Sequence, residues 1–127
     1  RSRRRPRLAV QSGPLLLRRG RVHPRFNARS RHRRDRNGVG VDGQGRAVFV
    51  CTAAGQETYA TLHAFARFFL ALGCADALCL DGDLSHMVVS PDEPIHVKNE
   101  YGAIFAVATR PDHDSGKAGG GRRRANE

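Results

Sequence analysis

Residues 58–85 read TYATLHAFARFFLALGCADALCLDGDLS, and this stretch decides the fold because a helical pattern changes to a strand pattern after one glycine. Apolar residues recur at helical spacing in its first half, at Leu62, Phe65, Ala66, Phe69 and Leu72. That spacing forms one apolar face and predicts an amphipathic core helix over residues 58–72. Thr58 or Thr61 can cap its start, and Gly73 is a typical helix stop.

The second half of the stretch predicts a buried strand that ends in a turn with two carboxylates. Ala77 to Leu80 is a continuous apolar run of strand length, and Asp81-Gly82-Asp83-Leu84-Ser85 follows it directly. Paired carboxylates at a rigid strand end can divide acid and base or nucleophile roles, and the glycine allows backbone conformations that a Cβ would forbid. Asp-Gly-Asp also makes ordinary turns, so the spacing alone leaves both interpretations open.

Upstream of this stretch, turn residues and alternating apolar residues predict two hairpins. The first has strands at residues 14–17 and 21–23 around Arg19-Gly20, and the second has Val39 and Val41, a turn at 42–45 and a return strand at 46–51. Residues 24–36 between them are polar and rich in arginine, which predicts a loop.

Downstream, two further short strands are predicted at residues 86–89 and 103–109. The order of elements predicts an α+β fold with a mixed or mostly antiparallel sheet and one main helix. We expect residues 8–110 to form the ordered part, after a basic disordered lead at 1–7 and before a disordered tail at 111–127.

The positive charge of the chain belongs to one end of it. Residues 1–36 carry fourteen arginines and one acid, whereas residues 37–110 carry four basic and eight acidic side chains. The formal net charge of +10 therefore describes an arginine-rich flank on a mildly acidic body, and it does not by itself predict a nucleic-acid-binding protein. Phe26 is the one aromatic residue in the basic segment, and no nucleic-acid-binding motif is recognised.

Several other classes of protein and site find no support in the sequence. The longest apolar stretch is interrupted by Arg67 and is too short to span a bilayer, and no secretory signal is visible. Three cysteines, Cys51, Cys74 and Cys79, show neither CxxC nor metal-ligand spacing, so we expect small buried apolar residues, with no disulfide framework and no zinc site. No metal or other cofactor is predicted, although Asp81 and Asp83 could contribute oxygen ligands, and two carboxylates alone do not make a convincing metal site. The six histidines are scattered in the same way.

Two glycine-containing segments upstream are candidates for binding a ligand. In Arg36-Asn37-Gly38-Val39-Gly40, an arginine directly before a glycine-rich strand could present its planar fork to a phosphate, or it could simply end a solvated basic run. The small-residue turn Gln11-Ser12-Gly13-Pro14 could line a site or only turn the chain.

Taken together and in order, these segments resemble the phosphodiester glycosidase domain family, and in particular its bacterial branch related to exopolysaccharides. The family pattern consists of a Gly-Pro turn, an Arg-x-x-x-Gly strand start and a Leu-Asp-Gly-Gly/Asp-x-Ser turn after the helix. Gly13-Pro14, Arg36 with Gly40, and Asp81-Gly82 with Ser85 match it, while Asp83 stands where many relatives have glycine. The resemblance covers residues 8–110 and implies further chain upstream near the site, so we expect the C-terminal part of an incomplete domain.

The resemblance implies a hydrolase that cleaves the bond between the anomeric carbon of a sugar and a phosphodiester, in glycan or exopolysaccharide metabolism. Arg36 would hold the phosphate, and Asp81 would act as general base or nucleophile, with Asp83 as the second catalytic candidate. Gly13, Gly82 and Ser85 would shape the substrate site and bind the sugar or phosphate. Relatives commonly act in the periplasm or outside the cell, and the sequence does not indicate an oligomeric state.

Two other functions remain open at this point. A catalytically inactive or fragmentary member of the same fold would bind glycans without turnover. Nucleic-acid binding through the arginine-rich start would weaken steeply with salt and be lost on removal of residues 1–7.

Overall fold

The computed structural model describes residues 9, 11–53, 56–80, 82, 87–89 and 105–108. Its elements are β1 (Leu15–Arg18), β2 (Arg21–Val22), β3 (Asn37–Asp42), β4 (Ala47–Cys51), a 3-10 helix at Gln56–Thr58, α1 (Leu62–Ala71) and β5 (Cys74–Cys79). The five strands form one antiparallel sheet in the order β2-β1-β5-β3-β4, and α1 is the one α-helix of this part of the chain. The α+β class predicted from the sequence is confirmed.

The main helix is present but begins later than the apolar pattern predicts. Thr61 is its N-cap, and the Thr61 hydroxyl accepts a hydrogen bond from the backbone N of Ala64 at 3.1 Å. Thr58 lies in the preceding 3-10 turn, so the alternative cap is wrong. Gly73 follows the helix with φ 79°, as expected for its stop, but Leu72 is 44% exposed and does not belong to the core.

Both predicted hairpins form, because their turns contain the residues that such turns need. Arg19 and Gly20 have positive φ between β1 and β2. At the β3–β4 turn, one carboxylate oxygen of Asp42 accepts hydrogen bonds from the backbone N of Gln44 and Arg46, each at 2.9 Å. The other oxygen accepts from Arg46 Nε at 2.7 Å, and these contacts lower the pKa of Asp42.

The central strand β5 begins at Cys74, three residues before the predicted start, because the left-handed Gly73 turns the chain directly from the helix into the sheet. It pairs with β1 on one side and with β3 on the other. Sequence reasoning missed its first residues because the exposed Asp76 interrupts the apolar run.

The core lies between α1 and one face of the sheet. It contains the fully buried residues Leu16, Leu17, Ala66 and Phe69, with Phe65, Cys74, Ala77 and Cys79 nearly so. Two glycines of β3 let the helix approach closely. A Cβ at Gly38 would lie 3.0 Å from the rings of Phe65 and Phe69, and one at Gly40 would lie 2.7 Å from Cys74 Sγ.

The remaining predictions fall wholly or partly outside the described residues. The lead at 1–7 and the tail at 111–127 lie outside them altogether. Of the two predicted downstream strands, only residues 87–89 and 105–108 are described, and these are not in strands. Phe105 nevertheless contacts the sheet, since its ring centroid lies 5.9 Å from that of Phe49 on β4.

Candidate functional site

Three of the sequence segments singled out above meet at one end of the sheet. Because β5 is antiparallel to both neighbours, its last residues lie beside the first residues of β1 and β3. The backbone N of Cys79 donates to Pro14 O at 2.9 Å, and the backbone N of Leu80 donates to Asn37 O at 2.7 Å. The Gly-Pro turn and the Arg36 segment are therefore both joined by backbone hydrogen bonds to the end of β5 and to Leu80, directly before Asp81 in the sequence.

Gly82 brings the turn after β5 directly onto the residues before β3. An added Cβ at Gly82 would clash with the carbonyl oxygen of Asp35 and would lie 3.2 Å from its carbonyl carbon and 3.8 Å from Arg36 Cα. No side chain fits in that space, so a glycine is required for this close approach. The residues on both sides of Asp81, Leu80 and Gly82, thus contact residues 35–37.

The Arg36 side chain is half-buried and held in place at this end of the sheet. Its Nε donates to the carbonyl oxygen of Ala60 at 3.0 Å, and its backbone N donates to Thr52 Oγ1 at 3.0 Å. Its carbonyl oxygen accepts from the backbone N of Thr52 at 2.9 Å. Within the described part of the chain, the Nη groups of Arg36 have no acceptor, so they can donate to an anion.

Asp35 and Thr52 are members of the site that sequence reasoning missed. The Thr52 hydroxyl lies 3.0 Å from Asp35 Oδ1, to which it can donate while accepting from the Arg36 backbone. Asp35 is half-buried and is the one acid among the arginines of residues 1–36. A single acid among many arginines was the signal by which the sequence could have indicated Asp35. Thr52 gave no such signal, because only the pairing of Asn37 with Cys51 brings it beside Asp35.

The start of α1 reaches the same end of the sheet. Residues 34 and 60 form an isolated antiparallel bridge, with Arg34 N donating to Ala60 O at 3.2 Å and Ala60 N donating to Arg34 O at 3.0 Å. Arg33 Nε donates to the Tyr59 carbonyl oxygen at 2.7 Å. The predicted loop over residues 24–36 is therefore fastened to the segment before the helix.

Cys51 lies at the end of β4, next to Thr52. Burial, followed by the negative charge of Asp35, raises the pKa of the Cys51 thiol. A raised pKa disfavours the thiolate, which is the reactive form of cysteine. Among the described residues, no group of three His, Cys, Asp or Glu side chains could hold a metal ion.

Some of the site residues predicted from the sequence lie together in the structure, and others lie apart or outside the described residues. Arg36 and Gly82 lie together, and Pro14, the neighbour of Gly13, is joined to them through β5. Gly13 itself is exposed, with no atom near its absent Cβ. Asp81, Asp83 and Ser85 lie outside the described residues. Gly40, which the family pattern contains, packs against Cys74 and Phe69 in the core and does not lie with the other site residues.

A comparison with known protein families matches a range of residues that includes the segments of this site. A sequence model described as phosphodiester glycosidase matches residues 2–119. The chain belongs to the phosphodiester glycosidase family. The match includes the Gly-Pro turn, the Arg36 segment and the Asp81 turn.

Two individual proteins are similar to parts of the chain. The uncharacterized protein YigE of Escherichia coli (strain K12) is 39% identical over 80 residues, which are 62% of this chain and 30% of that protein. A hypothetical protein from Synechocystis, known from a crystal structure, is 31% identical with a TM-score of 0.47, over 57% of this chain and 15% of its own. The chain thus spans about a third or less of the length of either relative.

In the part of the chain that is described, no helix is long and apolar enough to cross a membrane.

Proposed function

We propose that the protein hydrolyses the bond between a sugar's anomeric carbon and a phosphodiester, at the end of the sheet where β1, β3 and β5 meet. The observation that carries the proposal is the contact of Gly82 with Asp35 and Arg36. This contact supports the proposal because Gly82, the neighbour of Asp81 in the sequence, lies against the backbone of an arginine whose guanidinium suits a phosphate, in a chain that belongs to the phosphodiester glycosidase family.

The chemistry of the substrate fits a site of this kind. The group that leaves is a phosphomonoester, which is a good leaving group, so cleavage of the C1–O bond needs less help from a general acid than cleavage of an ordinary glycoside does. The harder tasks are to hold the anion and to place a nucleophile at C1. Arg36 would perform the first, because its Nε is already fixed by Ala60 O and its Nη groups can form a fork with phosphate oxygens.

Asp81 would perform the second task, as the carboxylate at the end of the central strand. As a general base it accepts a proton from water while the water oxygen attacks C1 and the phosphate departs with the bonding electrons. As a nucleophile it would attack C1 itself, and water would then release the sugar. In both cases the products are a free sugar and a phosphomonoester.

Other predicted residues take supporting roles in this proposal. Asp83 is a second candidate carboxylate, while Ser85 and the turn at Gly13 would bind the sugar or phosphate. The reaction would belong to glycan or exopolysaccharide metabolism, in the periplasm or outside the cell, as the family resemblance implies. No cofactor is invoked.

The test is hydrolysis of an α-N-acetylglucosaminyl phosphodiester and a panel of other sugar 1-phosphodiesters. The chain and a form extended upstream are compared, since the chain covers only part of its relatives' length. Asp81→Asn should abolish turnover, while Arg36→Lys should raise KM by about tenfold or more because lysine lacks the fork.

Asp76→Asn is the matched control for Asp81→Asn. Asp76 lies on β5, the strand that precedes Asp81 in the sequence, but it is exposed, and its Oδ1 accepts from the backbone N of Arg19 near the opposite end of the sheet. Its variant should keep full turnover. Retained turnover in Asp81→Asn would refute the assignment of Asp81. A folded extended form that binds glycans but hydrolyses none of the panel would favour an inactive, glycan-binding member of the family.

A further inference from the structure

The arginine loop, which we define as residues 24–36, carries an unusual concentration of charge beside the proposed site. It contains six arginines and one acid, Asp35. The side chains of Arg25, Arg29, Arg31, Arg33 and Arg34 are exposed, and only Arg36 is half-buried. Among the described residues, the one ion pair is that of Arg46 with Asp42, so no carboxylate neutralises the loop's guanidinium groups there.

The arginine loop ends at Arg36, in the proposed site. It leaves β2 and enters β3, and the sheet order β2-β1-β5-β3 separates its two ends by three strand positions. Three interstrand steps of about 4.8 Å give a span of roughly 14 Å. That span is longer than a single sugar phosphate, and Arg36 stands at one end of it.

The loop backbone is held in a defined shape by its own turns. Ser30 N donates to Asn27 O at 3.1 Å, and Arg29 N donates to Asn27 Oδ1 at 2.8 Å. The bridge between Arg34 and Ala60 fastens its far end. A surface ordered before binding loses less conformational entropy when a ligand arrives.

An open cleft with both polar and apolar lining lies between this loop and the start of α1. Ser30, Arg31 and Arg33 line one wall, and Tyr59 and Thr61 are among the residues of the other. Hydroxyls and guanidinium groups together suit a ligand that has both sugar hydroxyls and anionic groups.

We propose that the arginine loop binds a polyanionic, phosphodiester-linked glycan, so that the substrate is one linkage of an anionic polymer and not a small isolated sugar phosphodiester. This inference rests on the proposed function, since it names the substrate class of the same site. Nucleic acid fits the loop less well, because the loop has one residue of the types Phe, Tyr and Trp, Phe26, which is half-buried against His23 with ring centroids 5.2 Å apart. Stacking of successive bases needs exposed aromatic faces.

The experiment measures binding of a polymer of N-acetylglucosamine 1-phosphate units joined through phosphodiesters. The full 127-residue chain with Asp81→Asn is used, so that hydrolysis does not consume the probe. Neutral dextran and a single-stranded oligonucleotide of equal charge are measured in parallel, over a range of salt concentrations.

The test variant is Arg25→Ser with Arg29→Ser and Arg31→Ser, since no hydrogen bond of the described structure uses these three side chains. The matched control removes the same charge elsewhere, at Arg18 and Arg21 beside the first hairpin turn and Arg67 on the exposed side of α1. Thermal melting confirms that both fold. If the triple variant melts early, the Arg29→Ser and Arg31→Ser single variants replace it.

We expect the loop variant to bind the polymer about tenfold more weakly, with the slope of log K against log salt reduced by about 2, while the control changes little. Dextran should not bind, and the oligonucleotide should bind more weakly than the polymer. Equal losses in both variants would overturn the inference, because the attraction would then be general charge. Equal or tighter binding of the oligonucleotide would also overturn it, in favour of nucleic acid.

This outcome is separable from that of the proposed function. Polymer binding that depends on the loop, in a protein that hydrolyses nothing, would refute only the proposed hydrolysis. Turnover of small phosphodiesters by a chain whose loop does not contribute to polymer binding would refute only the inference about substrate class.

Discussion

At the scale of single residues, Gly82 sets the distance between the two parts of the proposed site. Its Cα packs on the backbone of Asp35 and Arg36, where no Cβ fits. A larger residue would have to move either the turn that carries Asp81 or the segment that carries Arg36. Since catalysis depends on the relative placement of these groups, small shifts there are costly.

Gly82→Ala is therefore expected to lower kcat/KM for a sugar 1-phosphodiester on the order of 10- to 100-fold. Gly43→Ala serves as the control, because nothing lies within 4 Å of a Cβ at that position. Steady-state kinetics of the two variants check the expectation, alongside thermal melting to show that both are folded. Full activity in Gly82→Ala would mean that the close approach has no part in catalysis.

The residue scale is also where sequence reasoning reaches its limit. Arg36 and Gly82 could be singled out because each stands in a short local pattern. Asp35 and Thr52 could not, since their hydrogen bond at 3.0 Å depends on the register of β3 against β4. Gly40 was grouped with the site by the family pattern, although its contacts are with Cys74 and Phe69 in the core.

At the scale of elements, the packing of α1 on β3 depends on two glycines in alternate positions. Gly38 and Gly40 face the helix, and their missing side chains leave room for the Phe65 and Phe69 rings. The two rings meet edge to face, with centroids 5.2 Å apart. A helix so close to the sheet leaves little free volume, so added atoms would force the two layers apart.

Gly40→Ala should lower the free energy of unfolding by about 1–3 kcal/mol, because its Cβ would lie 2.7 Å from Cys74 Sγ and 2.8 Å from Phe69 Cδ1. Chemical denaturation measures the change. Gly43→Ala, in the open β3–β4 turn, is again the control and should change stability by no more than about 0.5 kcal/mol. A Gly40→Ala variant as stable as the wild type would contradict the close packing described above.

Elements were predictable where their signal is local. The helix face apart from Leu72, the glycine stop and both hairpin turns follow from periodicity and turn chemistry, and these are confirmed. The first residues of β5, Cys74–Asp76, were not predictable, because they include an exposed aspartate and form no apolar run. Their strand conformation depends on pairing with β3. Thr61 and Thr58 are equivalent caps in sequence, and only the 3-10 turn at Gln56–Thr58 distinguishes them.

At the scale of the whole molecule, the order of strands creates the site. β5 comes last in the chain among the described strands but lies in the centre, between β1 and β3. Sequence periodicity contains no information about such long-range order, so the meeting of Pro14, Asn37 and Leu80 could be expected only through the family resemblance. The same order separates the two ends of the arginine loop by three strand positions.

The central claim is that these three segments form a single substrate site, and amide chemical-shift mapping tests it most directly. An α-N-acetylglucosaminyl phosphodiester is titrated into the Asp81→Asn chain, which should bind the substrate without hydrolysing it. We predict that the largest shifts fall on the backbone amides of Arg36, Asn37, Leu80 and Gly82, with little change at the Arg19-Gly20 turn at the opposite end of the sheet. Saturable shifts that cluster at that opposite end, or on the exposed side of α1, would contradict the claim.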